Sequence, residues 1–229
     1  MSPKPSNGSV VMAIAGGLIE ARELLNRLDA AAGDGDLGLT AARAAEALIE
    51  SAPALDGLDG ASALKSIGMT LVRRAPSTGG TLIAFALLAA ARVDDNAESG
   101  VEGSAAAMLE AARDEIATRG KVQVGGRTML DALAPAATAF RTAADRGEPI
   151  ATCVTDAARA ADEGARSTIH MEATTGRAGW LADRARGHED AGARLIAIVF
   201  ASAATAASAT AAAASHVAAR PTAPGLDEL

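Results

Sequence analysis

Tyrosine is absent from the 229-residue chain, and its aromatics come to three Phe and one Trp. A core in a chain of this length has to be built mostly from Ala, Leu, Ile, Val and Met. The strand-favouring aromatic and β-branched residues are scarce beside Ala, Leu, Arg and Glu. The composition therefore predicts helices almost throughout and excludes an all-β sandwich or a membrane barrel. There is one cysteine, Cys153, which can close no internal disulfide and build no cysteine metal site. Its expected place is a small buried apolar side chain, in keeping with a reducing compartment. Basic residues are the minority: 21 Lys plus Arg stand against 28 Asp plus Glu, a net charge of −7. That balance argues against a phosphate-backbone partner, and nucleic-acid binding is not expected.

The N-terminus has one Lys ahead of an apolar stretch that Glu20 and Arg22 soon interrupt. It is a poor secretory signal, and a cytoplasmic location is expected. Residues 195–219 lack Asp, Glu, Lys and Arg and could span a bilayer by length alone. Only Leu195, Ile196, Ile198, Val199 and Phe200 would insert favourably among the Ala, Ser and Thr, so the segment is read as a packed helix with no membrane partner.

The length fits one large domain. Residues 1–220 are expected to form it, with 221–229 (PTAPGLDEL) as a flexible tail. Helical periodicity broken by Gly and Pro predicts helices over 8–28, 39–51, 61–74, 81–92, 103–118, 129–146 and 150–172, and an eighth after 192 that runs to about 219.

Four breaks between these helices carry the residues of chemical interest. In the first, Asp29, Asp34 and Asp36 lie within eight residues, with Gly33 and Gly35 between them. Oxygen ligands without a nearby His or Cys suit Mg²⁺ or Ca²⁺ rather than Zn²⁺. The same residues could equally be a helix end followed by an N-cap, with Asp36 capping and Asp34 in an Asx-turn. The second, Ser77-Thr78-Gly79-Gly80, opens an apolar helix and could be an anion site or a plain N-cap. The third, Gly125 to Asp131, is another Gly-rich start to a helix. The fourth spans 174–192 and holds Arg177, Trp180, His188, Asp190 and Gly192. An Arg beside flexible glycines can clamp a phosphate, Trp180 reads most simply as a hydrophobic anchor, and His188 as structural or exposed. No Ser/His/Asp or Cys/His set can be assembled.

In order along the chain, LDAAAGDGDLG (28–38), GMTL (68–71), TRGK (118–121), GGRTMLDAL (125–133) and TTGRAGWLADRARGHEDAGA (174–193) resemble the L subunit of dihydroxyacetone kinases, which also occurs as the C-terminal nucleotide-binding domain of single-chain kinases. The resemblance covers nearly the whole chain. It implies an all-α fold, a closed barrel of about eight antiparallel helices, with ATP or tightly bound ADP and two Mg²⁺ ions held by loops at one end. By the same resemblance Asp29, Asp34 and Asp36 hold the metal. Leu37, Gly38, Thr40, Ser77, Thr78, Gly79 and Gly80 fall at phosphate-contacting positions, and Gly120, Thr128 and Met129 at nucleotide-contacting ones. Arg177 matches the Arg of the GRA motif, and Asp190 to Gly192 the DPG segment.

The chain departs from the pattern in several places: Leu37 stands where His is usual, Thr40 where Asn is, Gly126 where an acid is, and DPG reads DAG. The implied function is an enzyme component that passes a phosphoryl group to a small hydroxyketone or related sugar held on a separate K-type subunit. The two would act in a homodimer or hetero-oligomer. Two other readings are a fatty-acid-kinase-like nucleotide domain and an ADP-carrying phosphorelay or regulatory subunit served by a phosphotransferase-system subunit.

Overall fold

The Ser6 side chain accepts a hydrogen bond from the Ser9 N–H (3.2 Å) and so starts α1, Asn7–Glu20, in the computed structural model of the chain. The structure describes residues 5–93, 100–173 and 186–218. The single helix expected over 8–28 is instead two, because the chain bends at Ala21 and continues as α2, Arg22–Ala32. The remaining helices are α3 (Leu37–Ser51), α4 (Gly60–Arg74), α5 (Thr78–Ala90), α6 (Gly100–Gly120), α7 (Leu130–Asp145), α8 (Ile150–Ser167) and α9 (Ala191–Ala218). Short 3₁₀ turns follow α3 and α8. Among the described residues there is no strand, as the composition predicts.

The helices pack in chain order around a ring: α1 on α3, α3 on α4, and so on through α8 on α9, with α9 returning to α1. The eight expected helices are thus present as the ring, and among the described residues α2 is a ninth, packed on α3 and α9. In the pairs α5–α6, α7–α8 and α8–α9 the neighbours run antiparallel, because starts meet ends. Arg194 in the first turn of α9 pairs with Asp162 late in α8 (2.6 Å), and Gly120 at the end of α6 lies against Leu82 near the start of α5. Gly164, late in α8, faces Asp131 to Pro135 at the start of α7 so closely that a Cβ would strike the Asp131 carbonyl. That carbonyl is the one Pro135 cannot bond as a helical donor.

Alanine makes this close packing possible. Ala15, Ala45, Ala84, Ala106, Ala136 and Ala161 are fully buried, while Leu25, Leu55 and Ile116 are the largest apolar side chains without exposure. Cys153 is buried, as expected, and burial raises its thiol pKa. The stretch Ala191–Ala213 of α9 is long and apolar enough to cross a membrane by length and composition. In the fold its Leu195, Ile196 and Ala197 are buried in the common core.

Candidate functional site

The first break lies closer to its helices than the sequence suggests. Because α2 runs on to Ala32, Asp29 sits in its last turn rather than in a loop. One oxygen of Asp29, Oδ2, accepts the backbone N–H groups of Gly35 (2.9 Å), Asp36 (3.0 Å) and Leu37 (3.3 Å). Gly35 has φ +78°, a left-handed turn that glycine adopts without penalty. Three residues earlier on α2, Asn26 Oδ1 accepts from the Leu39 N–H (3.1 Å). The N-terminus of α3 is therefore capped from α2, by Asn26 and Asp29. Asp36 occupies the N-cap position and makes no side-chain cap bond there, so the alternative that assigned it the capping role is corrected.

With capping assigned to Asp29, the three carboxylates converge. Each of Asp29, Asp34 and Asp36 offers an oxygen within 4.8 Å of the others, the last two at exposed positions. Three negative groups this close repel one another, and a divalent cation among them removes the repulsion. The set is all oxygen, half-exposed and beside a helix N-terminus, which fits a hard cation with waters and phosphate oxygens completing its shell. Leu37 and Thr40 follow on α3, and the Leu37 side chain packs onto the core.

The other breaks meet at the starts of α5, α7 and α9. Ser77 Oγ caps α5 by accepting from the Gly80 N–H (3.0 Å), with Thr78 exposed beside it. A Cβ on Gly79 would lie 3.9 Å from the Met129 side chain, and one on Gly192 3.4 Å from Met129 Cβ. Met129 thus stands between the starts of α5 and α9. Gly120 ends α6 against Leu82 of α5 and Val122. Three helix N-termini on one side of the ring turn their positive dipole ends the same way, although the N–H groups of Leu130 to Leu133 in the first turn of α7 are already bonded within that turn.

Buried polar residues hold this side together. Asp131 is 3% exposed and accepts from the N–H groups of Gly125 and of Thr128 (2.7 Å), while Thr128 Oγ1 accepts from the Leu130 N–H (3.2 Å). Arg127, 2% exposed, donates from Nη2 to the His188 carbonyl (2.9 Å). Asp190 caps α9 through the Ala193 N–H (2.7 Å), and its own N–H donates to Thr168 Oγ1 (2.8 Å). Arg194 grips Glu189 with two bonds of 2.6 Å and Asp162 with a third.

Burial pushes the Asp190 carboxyl up to about 6, against the opposing pull of the Ala193 N–H and of Arg127. A carboxyl raised in the folded state binds its proton more tightly folded than unfolded. Its charge therefore weakens the fold above about pH 6, and that penalty is relieved as pH falls from there towards 3.8. Asp190→Asn is expected to raise the melting temperature of the nucleotide-free chain at pH 7.5, and the gain should fall by roughly half at pH 5. Thermal scans at the two pH values check this, and an equal effect at both would show that the Asp190 charge is not the cause.

Of the residues marked in the sequence, the structure brings together Asp29, Asp34, Asp36, Leu37, Gly38 and Thr40 around the start of α3. It gathers Gly79, Met129 and Gly192 around the starts of α5, α7 and α9. Arg177 and Trp180 lie outside the described residues. Sequence reading passed over Asn26, Arg127 and the role of Asp131, although Thr128-Met129-Leu130-Asp131 has the spacing of a capping box.

The chain is similar to several known proteins. A model of the DAK2 domain family matches residues 31–220. The chain is 34% identical over 184 residues to the triokinase/FMN cyclase of Mus musculus, a match covering 80% of this chain and 32% of that protein. It is 32% identical over 181 residues to the ADP-binding subunit DhaL of PEP-dependent dihydroxyacetone kinase 1 of Listeria innocua, covering 79% of this chain and 85% of that one. The crystal structure of the C. freundii dihydroxyacetone kinase in complex with AMP-PNP and Mg²⁺ superposes with a TM-score of 0.66 at 27% identity, over 88% of this chain and 34% of that chain. The chain thus spans about a third of the length of the triokinase and of the C. freundii kinase.

Proposed function

The chain belongs to the DAK2 domain family, and from that premise we propose that it is the Mg-nucleotide-binding, phosphoryl-transfer subunit of a dihydroxyacetone-type kinase. In this reading it is cytoplasmic and hands a phosphoryl group to a small hydroxyketone or related sugar held on a K-type partner. The observation that carries the reading is the convergence of Asp29, Asp34 and Asp36 within 4.8 Å at the start of α3. Those three residues would hold Mg²⁺, which, when bound, neutralises charge on the transferring phosphate.

The chain's own part is positioning. Asp29 fixes the loop through three N–H groups, leaving Asp34 and Asp36 turned outward on either side of Gly35. In the first turn of α5, held by the Ser77 cap on Gly80, the N–H groups of Thr78 and Gly79 would meet phosphate oxygens, and Arg177 would add a bidentate clamp. Gly120, Thr128, Met129, Asp190 and Gly192 would border the nucleotide, and two ions fit a site with three carboxylates and a diphosphate. Leu37 puts an apolar side chain on the core, so any phosphate contact made by a His at that position is lost here. Thr40 keeps a hydroxyl where an amide is usual.

A second reading keeps ADP bound throughout and has a phosphotransferase-system subunit rephosphorylate it in place. It is favoured by the PEP-dependent relative, of which this chain covers 85%. The isolated chain should bind Mg-ADP in calorimetric titration yet phosphorylate dihydroxyacetone only after a K-type subunit is added. Full turnover by the chain alone would overturn the proposal. Turnover of the reconstituted pair with ATP, or only with a phosphorylated carrier protein, separates the two readings.

A further inference from the structure

The resemblance gives the residues that border the nucleotide and leaves open what makes the loops of α7 and α9, far apart in sequence, act as one face. We infer that Arg127 is a positioning residue for nucleotide binding, joining the start of α7 to the start of α9. The inference rests on the nucleotide-binding reading above.

Four observations lead to it. Arg127 is a non-glycine residue at φ +60°, a left-handed conformation unfavourable for a side chain of this size. Its guanidinium is nonetheless buried, and Nη2 reaches 61 residues along the chain to the His188 carbonyl (2.9 Å). The backbone that turns it inward is held from both sides by one buried carboxylate, since Asp131 accepts from Gly125 before it and Thr128 after it. The segment it reaches is ordered in turn, with Asp190 bonded to Thr168 and capping α9, and Gly192 packed on Met129.

A tie needed only for stability could be made by an apolar pair without desolvating a charge. Strained backbone and buried charge together persist where the surroundings over-determine them, and that is characteristic of sites where geometry serves binding. Arg127 also lowers the pKa of Asp190 electrostatically, so the same cation helps keep the α9 cap charged. The groups bearing on that carboxyl are Arg127 and Asp131 from the α7 side and the Ala193 and Gly192 N–H groups of α9 itself.

The test is calorimetric titration of Mg-ADP into the wild-type chain, Arg127→Gln and Arg127→Lys, at a temperature where far-UV circular dichroism shows all three folded. Arg127→Gln should raise Kd about tenfold or more, the range for loss of a supporting contact behind a ligand shell. Arg127→Lys should recover part of that, because an ammonium can meet one carbonyl but cannot reproduce the planar fork. A purely structural Arg127 would lower the melting temperature and leave Kd unchanged, and that result overturns the inference. If Arg127→Gln does not fold, Arg127→Lys decides alone: a rise of about threefold or more supports the role, and wild-type Kd refutes it. Absence of binding by the wild-type chain would instead overturn the nucleotide reading itself.

Discussion

Asp34→Asn and Asp36→Asn should each abolish the rise in melting temperature that Mg-nucleotide gives the wild-type chain, while the far-UV circular dichroism of the nucleotide-free protein stays nearly unchanged. Both side chains are exposed, and Asp36 makes no cap bond to α3, so amidation removes little that holds the fold. What it removes is one of three carboxylates converging within 4.8 Å. A ligand that binds only the folded state adds about 2.7 kcal/mol at a hundred times its Kd. For a domain of this size that corresponds to a rise of roughly 5–10 °C. Turnover with the partner subunit should fall about a hundredfold or more, because the charge on the transferring phosphate would no longer be neutralised in place. Asp29→Ala should behave differently: it also strips the three N–H groups of Gly35, Asp36 and Leu37 of their acceptor, and the nucleotide-free chain itself should lose about 1–3 kcal/mol. A full Mg-nucleotide shift in Asp34→Asn or Asp36→Asn would make the cluster structural.

This division of labour among the aspartates is what periodicity could not disclose. Spacing placed three carboxylates beside two glycines, which was enough to nominate an oxygen site. It could not tell a capping oxygen from a ligating one, because that depends on where α2 stops. The bend at Ala21 was hidden for a related reason. The buried residues Val11, Ala15, Leu18 and Leu25 keep helical phase across it, and the backbone bonds from Ala21 to Gly17 and from Leu25 to Ala21 continue through it. No proline marks the place. Some boundaries were easier to place because a chemical stop accompanies them, Asp59 capping α4 and Gly147, at φ +74°, following α7, whereas α5 starts at Thr78 rather than 81 and α8 ends at Ser167 rather than 172.

Legibility fails again where partners are distant in sequence. Nothing local to Gly126-Arg127-Thr128 says that the Arg turns inward, since a surface Arg in a Gly-rich loop has the same text. The Thr128 to Asp131 spacing was the available clue, as it announces a carboxylate folded back over the turn. The ring itself leaves only a faint trace: an abundance of Ala at buried positions, which lets helices approach closely but does not say which helix meets which. Loop length supplies part of that answer, since short connections favour antiparallel neighbours. The return of α9 to α1 is a long-range contact with no counterpart in any short window.

Gly38→Ala carries the largest expected effect on stability. Gly38 is buried in the first turn of α3, and a Cβ there would overlap the Arg22 carbonyl at the start of α2 and lie 2.7 Å from Asn26 Oδ1. Neither neighbour is the free end of a flexible chain: one is helical backbone, and the other is engaged with the Leu39 N–H. To admit the methyl group α3 must move away from α2, and the caps supplied by Asn26 and Asp29 stretch together. Overpacking typically costs about 1–3 kcal/mol and a lost cap about 1 more, so a loss of about 3 kcal/mol is expected. The melting temperature should then fall by roughly 6–12 °C, and the Mg-nucleotide shift should shrink with it, because the Asp29 loop moves too. Gly16→Ala is the control. A Cβ on Gly16 meets nothing within 4 Å, and replacing a mid-helix glycine of α1 by alanine should stabilise by about 0.5–1 kcal/mol. Chemical denaturation of both variants reads the contrast, and Gly38→Ala unfolding at the wild-type midpoint would show that α2 and α3 are not in the close contact described.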